Sequence, residues 1–132
     1  MGSELEKTMR RVLGISVCLL AIGCVKADVH RLDQTVRPVR PADSVTVLTK
    51  QPEQAYTVIA IVESRTESAF KGFDDLRSRM VDEAARLGGH ALLLGAEAKE
   101  SKMIITVTNA PSLIFWDQKR LSGEVIVFES QQ

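Results

Sequence analysis

The chain has 132 residues, 45% of them apolar and 26% charged, and its 17 lysines plus arginines are balanced by 17 aspartates plus glutamates. That length fits one small globular domain with a targeting segment rather than two cores, and the neutral balance argues against nucleic acid as a partner and against a generally basic membrane-binding surface. Both cysteines, Cys18 and Cys24, lie near the N-terminus, so the rest of the chain must fold without a disulfide.

In chain order, Met9, Arg10 and Arg11 form a positive start, and residues 12–22 follow as an uncharged apolar stretch. These are the n-region and h-region of a secretory signal, and initiation at either Met1 or Met9 fits the pattern. The stretch is well short of the about 20 residues a helix needs to cross a bilayer. It ends Leu20-Ala21-Ile22-Gly23-Cys24, which resembles the bacterial lipobox. The resemblance implies cleavage after Gly23, with Cys24 taking diacylglycerol on its sulfur and a further chain such as palmitate on the amino group that the cut exposes. A small Gly23 leaves the bond open to the peptidase, and the thiol forms the thioether. Acyl chains at about 0.8 kcal/mol per buried methylene make such attachment to membrane lipid effectively permanent. Val25, rather than an aspartate, follows the cysteine, so the expected location is the outer membrane facing the periplasm rather than the inner membrane. Loss of residues 1–23 removes Lys7, Arg10, Arg11, Glu4 and Glu6 and leaves 14 basic and 15 acidic side chains, still near neutrality.

Residues 24–43 hold Pro38, Pro41, mixed charges and no apolar period, which predicts a lipidated cysteine followed by an extended tether. Residues 44–49 alternate and are β-branched, giving a first strand, and residues 55–63 give a central one, with Tyr56, Val58, Ala60 and Val62 on one face and Thr57, Ile59 and Ile61 on the other. Residues 64–72 read as a loop. A helix follows: Asp74 or Asp75 caps its start, Leu76, Met80, Ala84 and Leu87 make one apolar stripe that Phe73 extends, and Gly88 with Gly89 stops it. Residues 91–98 form the next strand, Lys99, Glu100, Ser101 and Lys102 a charged turn, and residues 103–108 the returning strand of a hairpin. Residues 112–117 give a further short strand and residues 121–129 the last. The expected fold over residues 44–132 is α+β, one main helix packed on a largely antiparallel sheet, in the order β-β-α-β-β-(β)-β.

The run Ala55-Tyr56-Thr57-Val58-Ile59-Ala60-Ile61-Val62, the helix exit Glu83-Ala84-Ala85-Arg86-Leu87-Gly88-Gly89-His90-Ala91-Leu92-Leu93-Leu94, and Leu121-Ser122-Gly123-Glu124-Val125-Ile126-Val127-Phe128 together resemble small envelope domains of the YbjQ-like and Rcs-stress-sensor lipoprotein type. The resemblance covers about residues 44–129 and centres on the tight helix-to-strand joint. It implies an envelope lipoprotein, and in one branch a stress sensor that signals to a membrane partner.

Chemistry is sparse. His90 is the single histidine of the expected domain and has no cysteine beside it, and His30 stands alone in the expected tether, so no metal or other cofactor is predicted. Asp74 with Asp75 and Asp82 with Glu83 are neighbours that point in different directions on a helix, suited to capping and solvation rather than to acid-base work. No phosphate loop, nucleophile motif or Ser-His-Asp set is present, and the chain is read as non-catalytic. The apolar run Leu113, Ile114, Phe115 and Trp116 is bounded by Pro111 and a polar stretch at residues 117–120. This run and the sheet face that one helix leaves uncovered are the candidate contact surfaces for an envelope protein partner, the alternative for the run being burial against that open face. The expected function is a membrane-anchored binding or structural module. The alternatives are an envelope stress sensor and, more weakly, an enzyme acting on an envelope polymer.

Overall fold

The computed structural model describes residues 24–106 and 112–130. Strand β1 spans Lys26–Arg31, a 3-10 turn Ala42–Ser44, β2 Thr46–Leu48, β3 Tyr56–Thr66, helix α1 Phe73–Arg86, β4 Ala91–Thr106 and β5 Ser112–Phe128. The strands form one sheet in the order β1-β3-β5-β4-β2. All neighbours are antiparallel except β2 and β4, which are parallel. The architecture is therefore α+β, one helix on a five-stranded, mostly antiparallel sheet.

The apolar stripe of α1 does the packing. Leu76, Met80 and Ala84 are fully buried and meet Ala60 and Val62 of β3, Leu92 of β4, and Leu121 and Val125 of β5 in one core. At the helix start the Gly72 N–H donates to the Asp75 carboxylate at 2.8 Å, while Asp74 pairs instead with Arg77 at 2.9 Å. The helix stops at Gly88, whose φ of 75° lies in the left-handed region where a side chain is costly. Gly89 is needed for closeness, because a Cβ there would collide with the Val125 side chain and push the helix exit off β5.

Residues 64–66, expected in a loop, extend β3, and three larger expectations are corrected. Residues 24–43 are not simply a tether, since β1 lies within them and pairs with β3 from Lys26↔Arg65 to Arg31↔Ala60. An edge strand needs a partner's backbone more than an apolar face, and charged edge positions discourage further pairing, so β1 looks polar in sequence. The segment after it is also fastened: Asp33 takes the Thr35 N–H at 2.8 Å and pairs with Arg37 at 2.6 Å, and the Arg40 N–H donates to the Ala85 carbonyl at 2.9 Å.

The second correction concerns Lys99, Glu100, Ser101 and Lys102, which continue β4 instead of turning. There β4 and β5 form a two-stranded ribbon beyond the reach of β3, whose pairing with β5 ends at Thr66↔Lys119. Charged residues sit in water at little cost, and Asp117 ties the two strands by accepting from the Ser101 hydroxyl at 2.8 Å and pairing with Lys99 at 3.0 Å. The two segments expected at residues 112–117 and 121–129 are accordingly one strand, and the chain order is β-β-β-α-β-β rather than β-β-α-β-β-(β)-β.

The third is a bulge. Val58 faces Ile126 and Ala60 faces Val125, so Ile59 is an extra residue that reverses the alternation of β3. Ile59 is buried beside Ala60 and Val62, whereas Ile61 is 41% exposed.

Candidate functional site

Cys24 is an exposed free thiol, separated from β1 by Val25 alone, and Val25 packs against the core. Gly23, with the rest of residues 1–23, lies outside the described residues. The candidate acylation position therefore sits at the edge of the folded sheet, not at the far end of a long leash.

Beside Cys24 is a half-open cleft of about 670 Å³. It forms where three strands converge: Lys26 opens β1, Arg65 and Thr66 end β3, and Gln118 crosses from β5, with residues 67–70 as the remaining wall. The Ser64 hydroxyl holds the start of β1 by donating to the Lys26 carbonyl at 3.2 Å. Lys119 holds the wall by donating from its Nζ to the Lys71 carbonyl at 2.7 Å. Within the wall, Thr66 Oγ1 accepts the Ser68 N–H and Ser68 Oγ accepts the Phe70 N–H, two short turns that leave the Phe70 ring 97% exposed. Arg65 lies 3.5 Å from Asp28 in an open, weak pair. Gln118 is only 7% exposed, and its carbonyl oxygen Oε1 is buried without a hydrogen-bond partner. Such an orphan costs about 1–3 kcal/mol.

The second candidate is the ribbon. Leu113 and Phe115 are 57% and 66% exposed, and register sets them opposite Ile105 and Met103, which are 58% and 56% exposed. Cross-strand partners share a face, so these four make one apolar patch. Trp116 does not join them: it is half-buried, with its indole nitrogen enclosed and unpartnered. Ile114 pairs with Ile104 in the register. The consecutive run seen in the sequence is thus split by alternation. Its true companions, Met103 and Ile105, were expected to pair back on residues 91–98, and only the register of β4 with β5 sets them opposite Phe115 and Leu113. On the ribbon's flanks, β2 reaches β4 only at Ala91, Leu92 and Leu93, and β3 reaches no further along β5 than Lys119, so both outer edges are unpaired among the described residues. Lys99 and Ser101 beside Asp117 hold its carboxyl below the usual carboxylate range, so this cross-strand tie is charged at neutral pH.

His90 serves the fold. Its Nδ1 accepts the Phe128 N–H at 3.0 Å and its ring stacks on Phe128 with centroids 6.1 Å apart. Burial, helped by the nearby Arg40 and Arg37 charges, lowers its pKa below the ordinary histidine value and keeps the ring neutral. Of the acidic neighbours, Asp75 caps α1, Asp74 pairs with Arg77, and Glu83 pairs with Arg79 at 2.8 Å and Arg86 at 3.4 Å. Among the described residues, no group of three or more His, Cys, Asp or Glu side chains is placed to hold a metal ion. Among the same residues, no helix is long and apolar enough to cross a membrane.

No family model matches the chain, and no curated protein matches it. Among solved structures, the fold is similar to that of the Francisella virulence factor FvfA in its orthorhombic crystal form, with a TM-score of 0.52 at 13% identity, over 77% of this chain and 97% of that one. At that identity the likeness is one of fold alone.

Proposed function

We propose that this protein is a non-catalytic lipoprotein of the bacterial envelope, attached to membrane lipid through acylated Cys24 and meeting an envelope protein through the β4–β5 ribbon. The run Leu20-Ala21-Ile22-Gly23-Cys24 carries the anchor half of this reading. The position of Cys24 supports it, because the thiol is exposed and only Val25 separates it from the first strand. A partner role for the ribbon is supported by the patch of Met103, Ile105, Leu113 and Phe115, which monomeric proteins seldom leave in water without a use. Val25 after the cysteine favours the outer membrane.

Intact mass and membrane fractionation of the native protein beside Cys24→Ala test the anchor. The expected wild type lacks residues 1–23, carries the added mass of acyl chains and sediments with membranes, while the variant accumulates as precursor. A soluble wild type that keeps residues 1–23 would overturn the proposal.

A further inference from the structure

The cleft beside Cys24 has a chemistry that the anchor alone does not need. Lys26 and Arg65 are register partners, so both cations rise from the same face of the β1–β3 pair at one end of the cleft. Glu67 and the orphaned Gln118 Oε1 supply acceptors from the loop and from β5. Gln118 is more than nine-tenths buried and lines the cleft, and its carbonyl oxygen has no hydrogen-bond partner in the protein. Two cations beside two acceptors match a ligand that is anionic at one end and rich in N–H donors at the other.

We propose that this cleft receives the phosphoethanolamine headgroup of a membrane phospholipid. The phosphodiester meets Lys26 and Arg65, and the ammonium, with three donors and no acceptor, meets Glu67 and Gln118 Oε1. A phosphodiester carries one negative charge and the ammonium one positive, which suits a site holding both signs better than it suits a multiply charged phosphate. The exposed Phe70 at the rim is placed to face the apolar side of such a lipid. The choice of a membrane lipid over a soluble phosphoamine rests on the anchor proposed above, since acyl chains on Cys24 would hold headgroups at the cleft mouth at high effective concentration.

The test is a titration of the full chain, isotope-labelled and held in a phosphate-free detergent, followed by NMR at the Gln118 side-chain amide and the Arg65 Nε. Glycerophosphoethanolamine should give saturating shifts at both. Glycerophosphocholine, which lacks N–H donors, and inorganic phosphate should bind about tenfold or more weakly, the loss expected when a hydrogen bond to a charged group goes unmade. Lys26→Gln with Arg65→Gln, both at partly exposed positions, should abolish the shift at Gln118. Gln118→Leu, an apolar replacement of similar size, should erase the preference for ethanolamine over choline at the Arg65 signal. Absence of saturation, or equal binding of the choline compound to the native chain, would overturn the proposal. Because glycerophosphoethanolamine is soluble, the cleft is read whether or not Cys24 is acylated. Binding by a native chain that proves unacylated would overturn the lipid as source while leaving the anchor's failure separately visible.

Discussion

The half of the sheet under α1 and the ribbon beyond it share two strands, β4 and β5, yet they bury their side chains in opposite ways. Where α1 covers them, Leu92, Leu121 and Val125 are wholly enclosed. A few residues further on, Met103, Ile105, Leu113 and Phe115 stand more than half in water, and the strands are tied by ionic and hydroxyl contacts at Asp117. A strand's sequence therefore does not decide whether its apolar residues serve stability or recognition. The presence of a covering element does.

The comparison predicts a graded series of effects. Leu76→Ala, at the centre of the covered half, should cost about 2–5 kcal/mol by urea denaturation, through lost burial plus the cavity left behind. A loss no larger than that at an exposed ribbon position would break the distinction. Gly88→Ala should come next, losing about 1–2 kcal/mol from left-handed backbone alone. The new Cβ would also stand 2.6 Å from the Arg37 Cβ, so the protease sensitivity of residues 32–41 should rise with it.

The pH response should be smaller and belongs to the covered half. His90 has a lower pKa folded than unfolded, so the unfolded chain takes up the proton first. Its contribution to stability is complete above the ordinary value of 6.5 and is lost as pH falls through 6.5 towards the folded value, where the Phe128 N–H loses its acceptor. His90→Gln should flatten that part of the stability profile, measured by thermal unfolding at stepped pH. An unchanged profile would move the titration elsewhere. Smallest in stability, and largest in recognition, is Phe115→Ser: unfolding should shift by no more than about 0.5 kcal/mol, while cross-linking from the ribbon to the envelope protein proposed as its partner should fall. A large loss of stability would mean that the patch is structural after all.

Legibility in the sequence followed the range of the interactions. The stripe of Leu76, Met80 and Ala84 and the Gly88 stop are set by neighbours a few residues apart, and both are where the pattern places them. By contrast, β1 is specified by β3, which lies more than twenty residues downstream, so its own polar residues gave no sign of it. The charged run beginning at Lys99 has the composition of a turn, and only the facing Asp117 makes it a strand. Likewise the bulge at Ile59 depends on the register with β5 and leaves no local mark. Among site residues, Cys24 stands out through the motif before it, and Leu113 and Phe115 through their apolar run. Gln118 and Arg65 are ordinary polar residues until β1, β3 and β5 bring them to one cleft.

With only Val25 between Cys24 and β1, tension applied at that cysteine has almost no slack to take up. A pull along the strand axis loads the six register pairs from Lys26↔Arg65 to Arg31↔Ala60 together, in shear. A pull across the sheet instead peels them one at a time from Lys26↔Arg65. Because Val25 itself packs on the core, a peeling load first lifts that side chain and then breaks the pairs that align the two cations of the cleft.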